Sequence, residues 1–370
     1  MKIELPANTL AAALSKVRAA VPGRDTIPIL DTFRMEARAG FLSVVGTQVD
    51  IQASASVPCD VLEEGCAAIS SKVAGIVKGL GKSVITLEAE EGSDARAVVT
   101  GPRQRYEFGR LPADQFPIMP ALDEGEGAIS FEIDAPALAA ALNATKGTVS
   151  PDKHGLEGVC MCRDGASLVF VATDGKRFSH YAFPLPPGAS SIATHTISTP
   201  AVRAILSALS GEKGIARVSA NRTFVSVSVG EAVVMSRLIN GDFVSYQGYM
   251  RKIMGGAGVR VSRSELSEAV ARIVALRAET KAPVVVLRSS EDAVHLISDK
   301  RGRNEGSESV DAEVDAPTEF GLDAGYLAGL VGVWPEHAIL EIANKLPGEA
   351  VTITSKAIPG LLQFVAQMSP

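Results

Sequence analysis

Two helical signatures recur along this chain at a nearly constant interval, and a chain that repeats itself in this way folds as copies of one unit. The segments IELPANTLAAALSKV from Ile3, FEIDAPALAAALNAT from Phe131 and VRVSRSELSEAVARI from Val259 share one design. Each reads as a short alternating strand, a polar or small cap position, and a helix with Leu or Val at i and i+4. Leu10, Leu138 and Leu266 lie 128 residues apart, and so do Leu14, Leu142 and Val270. A second helix follows in each copy, with apolar residues at i, i+3, i+4 and i+7. Its stripes are Val73, Ile76, Val77, Leu80, then Val202, Ile205, Leu206, Leu209, then Leu327, Leu330, Val331, Trp334. Chance likeness between Ala-rich helices explains one such match, not two in the same order.

Between and after these helices the sequence alternates as strands do. Examples are GFLSVVGTQVDIQASASV, ASLVFVATDGKRFSHYAF and APVVVLRSSEDAVHLISD, one in each copy. The expected architecture is α+β: three repeated domains, at 1–125, 126–254 and 255–370, each with two helices packed on one face of antiparallel sheets. A length of 370 residues suits two or three cores, and 46% hydrophobic residues can fill them. Aromatics make up 5%, so Ala, Val, Leu and Ile must carry the packing.

A helix that buries one stripe turns the other outward. The outward faces carry Lys16, Arg18, Lys72, Lys78, Lys146, Arg203, Arg272 and Arg277, with Glu265 and Glu268 among few acids. Solvated faces explain such charges adequately. Yet these helices are more basic than a chain of net charge −6 suggests, so a general coat of basic charge is excluded while a local basic surface is not. No stretch approaches the roughly 18 apolar residues of a membrane span, and MKIELPANTL lacks a secretory pattern, which leads to an expected place in the cytoplasm. Cys59, Cys66, Cys160 and Cys162 form no C-x-x-C pair and no zinc pattern with the histidines. They read as reduced thiols, with no metal or cofactor expected.

The densest polar stretch is VATDGKRFSH, residues 171 to 180. Asp174-Gly175 is a strong tight-turn dipeptide, so a strand turns back on itself there. A hairpin with solvated charges accounts for Asp174, Lys176 and His180. An enzyme is the rival from another class, and its motifs fail. GLGKS at 79–83 has Ile76 where a phosphate-binding loop needs its first Gly, and it lies between a helix and a strand, the reverse of the required order. A hydrolase built on Asp174, His180 and a serine lacks the G-x-S-x-G elbow.

The segments GRDTIPILDTFRM at 23–35, RLPADQFP at 110–117, LEGVCM with LVFVATDGKRF between 156 and 178, and SRLINGDFVSY at 236–246 resemble the bacterial sliding clamp family, the beta (processivity) subunit of replicative DNA polymerase III. The resemblance covers essentially the whole chain. It implies a head-to-tail homodimeric ring of six units around duplex DNA, with helices lining the hole, and no catalysis. The basic helices then face phosphates, in contacts that carry no sequence information and weaken with salt. Arg24 matches a clamp residue that touches DNA, and Lys153 stands where clamps carry a basic residue.

The same resemblance makes the 171–180 corner part of a pocket for short linear peptides of the polymerase and clamp loader. Leu156, Thr173, Gly175, Arg177 and Phe178 match its pattern: apolar floor, small turn, guanidinium rim. Gly175 lets a peptide approach the backbone, and Arg177 offers fork donors. The rest departs from the family. Phe243-Val244-Ser245-Tyr246 replaces the usual Phe-Pro-Asp-Tyr, Tyr249 stands where a small apolar residue is usual, and the tail reads VAQMSP, with Met368 the plainest survivor. For ring closure, GPRQRYEF at 101–108 matches the first unit's edge strand, with Arg103, Arg105 and Tyr106 facing Ala275 and Leu276 of the third unit and the acids Glu305, Glu308, Asp311 and Glu313. Lys300, Arg301 and Arg303 interrupt that acidic run. These departures keep two alternatives open: a specialised clamp with altered partners, or a monomeric clamp-like adaptor.

Overall fold

The computed structural model describes residues 1–23, 26–90, 96–122, 128–153, 155–276, 283–298, 304–345 and 348–368. Arg24, Arg277, Lys300, Arg301 and Arg303 therefore lie outside the described residues. The chain groups into two compact units, Met1–Ala140 with Leu185–Asn240, and Ala141–Pro184 with Gly241–Pro370.

The repeated helices form where the periodicity places them. They are α1 (Ala7–Val17), α2 (Val73–Gly79), α3 (Ala135–Thr145) and α4 (Thr199–Leu209), with a short α5 (Gln247–Ile253), then α6 (Arg263–Leu276) and α7 (Ala324–Val331). Polar residues at the strand ends start several of them. Ser198 Oγ accepts from the Ala201 N–H at 3.3 Å, Asp134 Oδ2 from the Ala137 N–H at 3.2 Å and Asp323 Oδ1 from the Tyr326 N–H at 2.9 Å. Each cap satisfies a donor that the first helical turn leaves without a partner. Most of the predicted stripe residues are buried, namely Leu10 and Leu14 in α1, Val73 and Val77 in α2, Val202, Ile205 and Leu209 in α4, and Leu327, Leu330 and Val331 in α7, whereas Ile76, Leu80 and Leu206 are half-buried.

In the first unit thirteen strands join into one antiparallel sheet, and α1 packs on it. Its central joint links two repeats: strand Ala232–Arg237 of the second lies against Ile51–Pro58 of the first, with Ser236 opposite Ile51 and Ala232 opposite Ala55. The second unit repeats this joint. Strand Leu361–Val365 of the third repeat lies against Arg177–Pro184 of the second, with Val365 opposite Arg177 and Leu361 opposite Tyr181. Buried polar groups tie this joint: Trp334 Nε1 donates to Gln363 Oε1 at 2.8 Å, and Gln363 Nε2 to Ser179 Oγ at 3.3 Å.

In both joints the last strand of one repeat meets the fourth strand of the repeat before it. Two strands of these kinds keep an open side among the described residues. Residues 105–109 of strand Arg105–Leu111 pair only with Arg96–Thr100, since its contact with Gly65–Ser70 involves Arg110 and Leu111. Residues 307–311 of strand Ser307–Val314 pair only with Ala293–Ser298, since its contact with Ala257–Ser262 involves 312–314.

Candidate functional site

Within the second unit a cavity of about 280 Å³ opens beside the hairpin of strands Ser167–Thr173 and Arg177–Pro184. Leu156, Thr173, Gly175, Arg177, Phe178, Val244 and Tyr249 all line it, so the structure brings together seven of the eight residues assigned to the pocket from sequence. Met368 is not among the lining residues. Its N–H donates to the Gly321 carbonyl at 2.8 Å, so the end of the chain is taken up in a bridge to another strand. Lys176, Ser245, Tyr246, Ala350, Phe364 and Ala366 complete the wall.

The turn is built from its own side chains. Gly175 takes φ +87°, a left-handed conformation that favours glycine. Thr173 Oγ1 donates to the Arg177 carbonyl at 2.6 Å and accepts from the Gly175 N–H at 3.0 Å. Asp174 does more than a solvated turn residue would. Its Oδ1 accepts from the N–H groups of Lys176 and Arg177 at 2.8 and 2.6 Å, and its Oδ2 accepts from Arg177 Nε at 2.9 Å. The Arg177 guanidinium also lies over the Tyr326 ring, 4.3 Å from its centre. With one edge held by a carboxylate and one face by a ring, its outer nitrogens remain for a ligand. Lys153 Nζ donates to the Asp174 carbonyl at 3.0 Å, which places it at this corner.

The apolar side of the cavity is aromatic. Phe178 stands opposite Phe364 across the repeat joint, and their rings stack at 4.1 Å and 10°. Tyr246 leans on Phe178 at 5.4 Å, and Tyr249 meets Phe364 edge-on at 5.9 Å and 63°. Beneath the floor, Cys162 Sγ lies 3.9 Å from Tyr246 Oη, and burial pushes the Tyr246 phenol up from its ordinary value. Among the described residues no group of three or more His, Cys, Asp or Glu could hold a metal, and all four cysteines are free.

The basic residues are divided by their partners. Lys72 and Lys78 at the ends of α2 and Arg203 on α4 are exposed, with no ion pair among the described residues. Lys16 is ion-paired with Glu212, Arg18 donates to the Val21 carbonyl at 2.8 Å and Lys146 to Asn143 Oδ1 at 2.6 Å. Arg272 forks onto both oxygens of Glu308 at 2.7 to 3.0 Å and reaches Glu268 at 3.6 Å. That pairing holds the Glu308 carboxyl below its usual range and gives Arg272 less free charge than its outward position suggested. At the open edges Arg103 and Arg105 are exposed, Arg105 donating to Glu107 at 3.0 Å, and Tyr106 is half-buried. Ala275 is exposed and Leu276 half-buried at the end of α6. GLGKS runs from α2 into strand Val84–Ala89, the helix-to-strand order that no phosphate-binding loop uses.

Fold and corner together define a class of protein: copies of one α+β unit joined edge to edge, with a ligand-sized cavity at a joint. Models of the DNA polymerase III beta subunit match residues 1–120 as its N-terminal domain and 132–245 as its central domain. The chain belongs to this family, the bacterial beta sliding clamps. It is 25% identical to the beta sliding clamp of Salmonella typhimurium, over 95% of this chain and 92% of that protein, and 28% identical to that of Caulobacter vibrioides, over 90% of each. Among solved structures, the sliding clamp of Bartonella birtlesii bound to griselimycin superposes with a TM-score of 0.88 at 22% identity, over 100% of both chains. The clamp of C. crescentus superposes with a TM-score of 0.86 at 23% identity, over 100% of this chain and 99% of that one.

Proposed function

We propose that this chain is a DNA sliding clamp: two copies close a ring around duplex DNA, and the cavity tethers a replicative polymerase and clamp loader by short peptides. It is not an enzyme, and it acts in the cytoplasm, where a bacterial chromosome is copied. The observation that carries this reading is the twice-used joint. Last strand meets fourth strand at two places within the chain, and among the described residues one strand of each kind is left open. An exposed edge is a hazard unless it is paired, and a second copy supplies the missing half of both edges. Three repeats per chain, the domains 1–125, 126–254 and 255–370, then give six around the ring.

The internal joints also suggest a register. In the second one Ser179 faces Gln363, both turned toward the helix side where Trp334 lies. The equivalent positions at the open edges are Gly306 and the partner's Tyr106. A Cβ at Gly306 would stand 2.8 Å from Leu276 Cδ2, so the glycine leaves Leu276 uncovered for an aromatic ring from across the joint. Inside the ring, Lys72, Lys78 and Arg203 carry the phosphate contacts as cations without an ion pair among the described residues, with Arg24 and Lys153 as further candidates. Such contacts are weak, and topology holds the DNA.

Tethering is tested by fluorescence polarisation with a labelled pentapeptide of the Gln-Leu-x-Leu-Phe type. The wild type binds it saturably, and Arg177→Ala weakens binding at least about tenfold, the loss of a charge-assisted contact. Equal binding by both proteins contradicts the placement of the peptide at this corner.

A further inference from the structure

The helix layer of the first unit carries its cations in two states. Helix α1 packs against both α2 and α4, and none of the three holds an acidic residue. Lys72, Lys78 and Arg203 stand exposed on these helices without an ion pair among the described residues. Lys16, in the last turn of α1, is instead ion-paired with Glu212, which lies just beyond the end of α4, and both side chains are partly buried. Backbone and hydroxyl bonds hold the two segments in place. Ser207 Oγ of α4 donates to the Ser15 carbonyl at 2.7 Å, and the Glu212 N–H donates to the Leu209 carbonyl at 3.1 Å. The carbonyl ends of two helices meet here, so a cation is favoured and the Glu212 carboxylate depends on Lys16 for compensation. In the second unit Glu308 holds Arg272 of α6 in the same way, by a fork onto both of its oxygens.

We propose that Glu212 and Glu308 are counter-charges that loosen the ring's hold on DNA: each keeps one helix cation away from the phosphates, so that the ring slides. The inference rests on the sliding-clamp reading and adds to it the residues that set the grip. A ring that topology keeps on DNA needs no strong contact, and every phosphate contact must break at each step along the duplex. Charge-assisted bonds to phosphate are the strong ones. A passing phosphate wins Lys16 only by breaking a partly buried ion pair and leaving the Glu212 carboxylate uncompensated. Lys72, Lys78 and Arg203 supply solvated contacts, which break readily. Glu212 is a positioning residue that acts through Lys16.

The experiment follows labelled full-length rings, placed by the clamp loader on stretched duplex DNA with blocked ends, and reads their one-dimensional diffusion as salt is raised. Glu212→Gln leaves Lys16 an amide oxygen to bond, so the fold is kept, but it removes the charge that holds the cation. The variant is expected to diffuse at least about threefold more slowly than the wild type at about 50 mM salt, the weight of one phosphate contact on that scale, with the gap narrowing toward about 200 mM. Adding Lys16→Met to Glu212→Gln is expected to return diffusion to the wild-type value. A Glu212→Gln ring that diffuses like the wild type at every salt concentration, or a double variant as slow as the single one, overturns the inference and leaves the sliding clamp standing. Wild-type protein that is not retained on end-blocked DNA overturns the clamp reading and the inference together.

Discussion

His180, on the strand next to Phe178, shows how one side chain couples this corner to pH. It is 8% exposed, stacks at 6.3 Å on Phe178 and meets the edge of Tyr246 at 5.8 Å, while its Nε2 has no hydrogen-bond partner among the described residues. Burial lowers its pKa from the ordinary histidine value, against a smaller opposing effect of Asp164, and burial lowers that of His195 as well. The folded chain thus resists a proton that the unfolded chain accepts near pH 6.5. Below that pH the unfolded state binds more protons, so stability is flat above about pH 7 and falls as pH drops through about 6.5. Thermal unfolding followed from pH 7.5 to 5.5 is expected to show a falling midpoint, with a shallower fall in His180→Phe. An unchanged slope in the variant means that His180 is not a source of the dependence. One feature at this scale was legible from residue type: Asp174-Gly175 as a tight turn, which Gly175 makes at φ +87°. Asp174 was read as solvated because the turn motif does not reveal that its carboxylate is spent on two backbone N–H groups and a guanidinium. Lys176, in the same turn, was likewise read as solvated, whereas Phe364 was missed for another reason. A residue joins a pocket through strand pairing across the chain, and local pattern carries no trace of that.

At the scale of elements, the helices with strong apolar stripes were predicted well, because spacing at i, i+3, i+4 and i+7 is imposed by burial on a sheet. Helix α5 was not foreseen. Its sequence QGYMRKI has a glycine at its second position and buries Ile253 alone, so there is no stripe to detect. The basic faces were legible as charge but not as availability, since Lys16 and Arg272 meet acids from distant segments, Glu212 and Glu308. The edge strand at 101–108 was identified from its resemblance, and the structure adds the open side of residues 105–109. Placing the partner's Tyr106 over Leu276 leads to a direct test. Leu276→Asp puts a charge into that contact and is expected to yield a folded monomer by sedimentation velocity, the wild type being a dimer at the same concentration. A dimeric variant with unchanged dissociation contradicts the proposed joint.

For the whole molecule, the 128-residue period carried most of the information, since it exposed a threefold internal repeat before any element was assigned. The sequence did not reveal that compactness follows the joints rather than the repeats: each of the two units is organised around one edge-to-edge pairing, and the middle repeat contributes its strands to both. That pattern follows from hydrogen bonding, because a strand pair between repeats forms the same antiparallel ladder as a pair within one. The central claim is that the pattern closes on itself around DNA. The most direct measurement loads labelled protein onto singly nicked circular DNA with its clamp loader, raises the salt to remove electrostatic binding, and then linearises the DNA. The account predicts that protein stays on the circle through the salt wash and leaves once ends are available to slide from. Release by salt alone, with no effect of linearisation, would contradict it.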